Sequence, residues 1–116
     1  MAVLDRAPGQ VVEQLENELQ LTDNELAKAL DTNPRTIDRW KAGVSYPQHE
    51  AREKLTDLEK LARRLSSTFT TREAIRSWLH EDSRYLGGMA PIDALRAGRF
   101  DRVHAALEAL DSGVFL

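Results

Sequence analysis

The chain of 116 residues contains no cysteine, which removes disulfides and thiolate metal sites and agrees with a reducing compartment. No apolar run approaches the roughly 18 residues that a membrane-spanning helix needs. The opening stretch MAVLDRAPGQ also lacks a basic segment followed by a long apolar one. These absences predict a cytoplasmic protein with no membrane partner. Six glycines and four prolines are few enough that each reads as punctuation between elements rather than as low-complexity sequence. Catalytic signatures are missing as well. His49, His80 and His104 stand far apart, no serine sits in an elbow motif, and Gly87-Gly88 is too short for a phosphate-cradling loop. His80-Glu81-Asp82 reads as a solvated helix end. The expectation is therefore a protein that is not an enzyme and holds no metal or cofactor.

What is present is helical periodicity and an uneven charge. The net charge is -3, but the sign is not spread evenly. Residues 1–32 carry two basic side chains, Arg6 and Lys28, against seven acidic ones, whereas residues 33–64 carry eight against five. A basic face on a mildly acidic protein suits a reader of DNA better than a general binder of polyanions.

Apolar spacing predicts an all-α chain. Val11, Val12, Leu15 and Leu19 form one stripe after the breaker Pro8-Gly9, giving a first helix over 10–20. Thr22 and Glu25 are spaced as a capping box opening a second helix over 23–30. Asn33 caps and Pro34 starts a third over 34–42, which Gly43 ends. A long fourth helix over 48–66 puts Ala51, Leu55, Leu58, Leu61, Ala62 and Leu65 on one face. Ser66-Ser67-Thr68 is the predicted hinge. A second capping box, Thr70 to Glu73, opens a fifth helix carrying Ile75, Trp78 and Leu79, with Phe69 as a staple. Pro91 starts a short helix that Gly98 ends. A last one carries Phe100, Val103, Leu107 and Leu110 at three- and four-residue steps before Gly113 and the apolar Val114-Phe115-Leu116.

The second and third helices have the dimensions of a helix-turn-helix. Ile37 and Trp40, three residues apart, share a buried face, which leaves Arg35, Thr36, Arg39 and Lys41 around the exposed side. Arginine can donate two parallel hydrogen bonds to the guanine edge, threonine can meet a base or the thymine methyl, and a helix start favours phosphate. Arg35, Thr36 and Arg39 are the base-reading candidates, with Asn33 at the helix start, and Lys41 and Arg52 are the phosphate candidates. Asp38 lies among them with the opposite sign. An ordinary helical bundle whose solvated face carries arginines is the competing account.

The stretch LTDNELAKALDTNPRTIDRWKAG, residues 21–43, resembles the Xre-type helix-turn-helix family. Behind it, Trp78-Leu79, Leu86-Gly87-Gly88, Pro91 with Leu95 and Gly98, and Gly113-Val114-Phe115 resemble the toxin-binding domain of the Xre/MbcA/ParS-like antitoxins. One departure is Glu81-Asp82-Ser83-Arg84, where a proline-asparagine turn often stands in that family.

The resemblance implies a helix-turn-helix DNA-binding domain over 10–66 and a small helical toxin-binding domain over 69–116. It further implies an antitoxin that neutralises a RES-domain, NAD-consuming toxin, represses its own operon by binding operator DNA, and acts as a homodimer within a larger complex. Partner-facing residues on this reading are Arg84, Tyr85, Gly87, Gly88, Arg96 and Arg99, together with Gly113, Val114, Phe115 and Leu116 as a plug for the toxin's pocket. The alternatives are a transcriptional regulator whose second half only dimerises or senses a ligand, and an interaction adaptor with a degenerate helix-turn-helix.

Overall fold

The computed structural model describes residues 6–113, and all its regular elements are helices: α1 (Pro8–Leu19), α2 (Asp23–Ala29), α3 (Pro34–Lys41), α4 (His49–Thr68), α5 (Arg72–His80), α6 (Pro91–Arg96) and α7 (Phe100–Ser112). None of them is long and apolar enough to cross a membrane. The apolar tail Val114-Phe115-Leu116 lies outside the described residues.

Helix α1 begins at Pro8, two residues before the expected start. Proline at the first helical position loses no hydrogen bond, so Pro8 opens the helix instead of preceding it. Gly9 follows because the chain crosses α3 there. A Cβ at Gly9 would meet the Trp40 carbonyl oxygen and the Lys41 Cα, each at 2.9 Å. The expected capping box of α2 forms in full. The Glu25 amide donates to Thr22 Oγ1 at 3.1 Å and the Thr22 amide to Glu25 Oε1 at 3.0 Å.

Two expectations in the middle of the chain are corrected. Ser66, Ser67 and Thr68 are no hinge, for α4 runs unbroken through them to Phe69. The end of the helix is fixed from outside, since Thr68 Oγ1 donates to Asp111 of α7 and Arg64 pairs with Glu108 at 2.7 Å and Asp111 at 3.1 Å. The cap of α5 is Thr71, whose hydroxyl accepts from the Ala74 amide at 3.1 Å, and not Thr70. Shifting the cap by one residue puts Glu73 too early to reach back. Phe69 instead stacks on Trp78, ring centroids 5.8 Å apart.

One continuous core joins the two halves. Leu15 and Leu19 of α1, Leu26 of α2, Ile37 of α3, Leu55, Leu58 and Leu65 of α4, Leu79 of α5, Leu95 of α6 and Leu107 of α7 are all essentially inaccessible to water. Each such side chain contributes roughly 1.5–3 kcal/mol on burial. Helix α4 is the shared wall, packing on α1 from one side and on α5 and α7 from the other. Leu110, in step with Phe100, Val103 and Leu107 along the sequence, is 37% exposed and lines an open groove with Trp78 and Tyr85.

Candidate nucleic-acid and partner interface

Helix α3 presents two unlike faces. Ile37 and Trp40 are buried, which orients Arg35, Asp38 and Arg39 outward into solvent. The start of the helix is finished by Asn33, whose Oδ1 accepts from the Thr36 amide at 3.0 Å and the Thr36 hydroxyl at 3.3 Å. Asn33 and Thr36 thus satisfy each other, while Arg35 and Arg39 make no ion pair among the described residues.

The two phosphate candidates are placed differently. Arg52 sits beside the loop that follows α3, donating to the Pro47 carbonyl at 2.8 Å with its guanidinium 5.7 Å over the Tyr46 ring. Lys41 is engaged within the protein, its Nζ lying 2.7 Å from Glu16 Oε1 and 2.8 Å from Asp23 Oδ1. Burial works against the Lys41 ammonium, but the hydrogen bonds to Asp23 and Glu16 outweigh it and hold its pKa above the usual lysine range.

Beside α3 runs an open groove of about 510 Å³, lined among others by Thr36, Trp40, Tyr46, Gln48 and Lys54. Tyr46 on its rim is 56% exposed. Sequence reasoning overlooked Tyr46 and Lys54. An aromatic in a short polar loop directly after the arginine-bearing α3 was the available signal.

In the second half, residues 83–89 close a tight loop. The Ser83 amide donates to the Met89 carbonyl and the Gly88 amide to the Ser83 carbonyl, both at 2.8 Å. Gly87 and Gly88 have φ of 70° and 94°, and a Cβ on either would meet nothing within 4 Å. Backbone angle, not crowding, selects glycine there. Arg84 and Tyr85 are exposed and flank a groove of about 260 Å³ with Trp78, Asp82, Ala106 and Leu110.

Arg96 and Arg99 do not stand with them. Arg96 Nη2 reaches Glu25 Oε2 at 3.0 Å across to α2, and Arg99 forms a two-pronged pair with Asp101 at 3.1 and 3.0 Å. Gly113 ends α7 in the left-handed conformation, with φ 76°.

Known proteins are similar to this chain in both sequence and fold. Residues 64–113, from the last turns of α4 to the end of α7, match the family described as the antitoxin Xre/MbcA/ParS C-terminal toxin-binding domain. Mycobacterial cidal antitoxin MbcA of Mycobacterium bovis and of Mycobacterium tuberculosis is 33% identical over 98 residues, which is 84% of this chain and 86% of the relative. The chain belongs to the Xre/MbcA/ParS antitoxin family. A chain in the crystal structure of the M. tuberculosis MbcT-MbcA toxin-antitoxin complex superposes with a TM-score of 0.73 at 30% identity, covering 96% of this chain and 99% of that one. In this antitoxin family member the matched segment begins inside α4 and takes in α5, α6 and α7.

Proposed function

We propose that the protein is a cytoplasmic, non-enzymatic antitoxin that binds a RES-domain, NAD-consuming toxin through residues 69–116 and represses its own operon through the helix-turn-helix of residues 10–66. The observation that carries the DNA-binding part is the two-faced α3. Buried Ile37 and Trp40 fix the helix so that Arg35 and Arg39 project together without a partner in an ion pair. The toxin-binding part rests on family membership and on the exposed loop at Arg84 and Tyr85.

A single module of this size covers one half-site, so specific repression calls for a homodimer whose half-sites lie about 34–36 Å apart or a multiple of that spacing. Among the partner-facing candidates, Arg84, Tyr85, Gly87 and Gly88 are exposed. Arg96 and Arg99 are paired with Glu25 and Asp101.

The test pairs two titrations on the intact protein. A duplex carrying the chain's own promoter should bind in a salt-dependent way, with affinity falling steeply as salt rises. The RES-domain protein encoded beside it should co-purify with the chain and lose NAD consumption. Binding of the promoter without binding of the toxin would favour the transcriptional regulator whose second half only dimerises or senses a ligand.

A further inference from the structure

At the junction of α1, α2 and α3, two carboxylates share one ammonium. Glu16 Oε1 and Asp23 Oδ1 lie 2.7 and 2.8 Å from Lys41 Nζ, and the other Glu16 oxygen, Oε2, is buried with no hydrogen-bond partner. The cluster carries one excess negative charge when both acids are ionised. An ionised carboxylate with one oxygen dry and unpaired is costly, and a proton on Glu16 relieves the cost by donating to Asp23. Burial first, and then the hydrogen bond shared with Asp23, push Glu16 up to about 7 against the opposing pull of Lys41. Asp23 is held below the usual carboxylate range by hydrogen bonds from Glu16 and Lys41.

The charges around the site are of both signs. Asp38 of α3 approaches Asp23, and Arg76 of α5 lines the groove over Glu16 together with Glu13 of α1. Arg76 is committed to the Gln20 carbonyl at 2.8 Å and its neighbour Arg72 to Asn17 at 3.1 Å, and α4 contributes no residue to that groove.

Lys41 is the last residue of α3 and a cation on the element proposed to read DNA. We propose that Glu16, Asp23 and Lys41 form a proton-operated clamp, in which protonation of Glu16 frees Lys41 from one of its two carboxylates and so makes it available to a DNA phosphate. The proposal rests on the DNA-binding reading above. Ionised Glu16 holds Lys41 inward and adds negative charge beside the duplex; protonated Glu16 leaves a neutral cluster with a cation that can swing out.

The experiment titrates the chain's own promoter duplex at pH 6 and pH 8, each over a salt series, with the wild type and Glu16→Gln. Glutamine keeps the shape and the neutrality of the protonated acid and cannot pair with Lys41 as an ion. Wild-type affinity should be about fivefold or more higher at pH 6, the low end of ordinary coupling between sites. One added phosphate contact should also steepen the log-log salt slope by about 0.9. Glu16→Gln should bind at pH 8 as the wild type does at pH 6. His49, His80 and His104 remain in that variant, so a pH dependence surviving unchanged in Glu16→Gln overturns the clamp. Binding that is independent of pH in the wild type also overturns it, whereas failure to bind at either pH overturns the DNA-binding reading itself. Independently of DNA, the carboxyl carbon resonance of Glu16 in the free protein should titrate near neutral pH. A midpoint in the ordinary glutamate range overturns the proposal even if DNA binding is found.

Discussion

Arg96 of α6 reaches 71 residues back along the chain to Glu25 of α2, Nη2 to Oε2 at 3.0 Å, and joins the segment that matches the antitoxin family to the helices before it. The Glu25 side chain is only 11% exposed, and its other oxygen already accepts the Thr22 amide. His80 of α5 approaches the same Oε2 at 3.4 Å. One carboxylate therefore caps a helix and holds two others against it.

Removing the guanidinium should leave this carboxylate short of a partner. Arg96→Ala is expected to cost about 1–3 kcal/mol, nearer the lower figure because the arginine side chain keeps 37% exposure to screening solvent. Burial opposes ionisation of Glu25, but Thr22, Arg96 and His80 outweigh it and lower its pKa below the ordinary 4.5. A lowered folded pKa stabilises the protein above the ordinary value, and the gain is lost as the pH falls through the folded one. Chemical denaturation from pH 7 down to pH 3 should thus show a shallower acid limb in Arg96→Ala than in the wild type.

Gly9 is a packing glycine. Gly9→Ala should force α1 and α3 apart, since its Cβ would meet backbone atoms at 2.9 Å that have no rotamer to change. The expected destabilisation is about 1–3 kcal/mol, as for other overpacked sites. Urea midpoints of the two proteins check it, and equal midpoints would show that the helices separate without cost.

Trp40 is 5% exposed and packs in the continuous core. Trp40→Ala should cost about 3–5 kcal/mol, the usual range for truncating a buried aromatic. A thermal melt at the wild-type temperature, with DNA binding lost, would show that the ring contacts nucleic acid.

Arg39→Ala, and to a lesser degree Arg35→Ala, should each weaken promoter binding by about 1–3 kcal/mol if they read bases. Neither side chain makes an ion pair among the described residues, so melting should be unchanged within error. Unaltered affinity in both variants would remove α3 from the role of reader.

Deleting residues 113–116 tests the plug. The truncated chain should still bind the RES-domain toxin while NAD consumption resumes, because an aromatic anchor such as Phe115 in a pocket is worth about 2–4 kcal/mol on truncation. If binding and inhibition both survive, the surface at Arg84 and Tyr85 carries the inhibition.

Local chemistry was enough to determine much of this protein from its sequence. The capping box at Thr22 and Glu25, the Asn33-Pro34 start of α3, the buried pair Ile37 and Trp40, and the long stripe of α4 depend on neighbours three or four residues away. Their outcome is legible wherever the period is regular. The tertiary structure decided what depends on distant partners. Ser66 to Thr68 stay helical because Asp111 and Glu108 are waiting on α7, and Pro8 can open α1 because Gly9 lets α3 pass close by. It also decided which cations are available. Lys41 and Arg96 look in the sequence like Arg35 and Arg39, but Glu16, Asp23 and Glu25 reach them only once the helices are packed. Coulomb attraction acts through space, and a one-dimensional pattern does not record that distance.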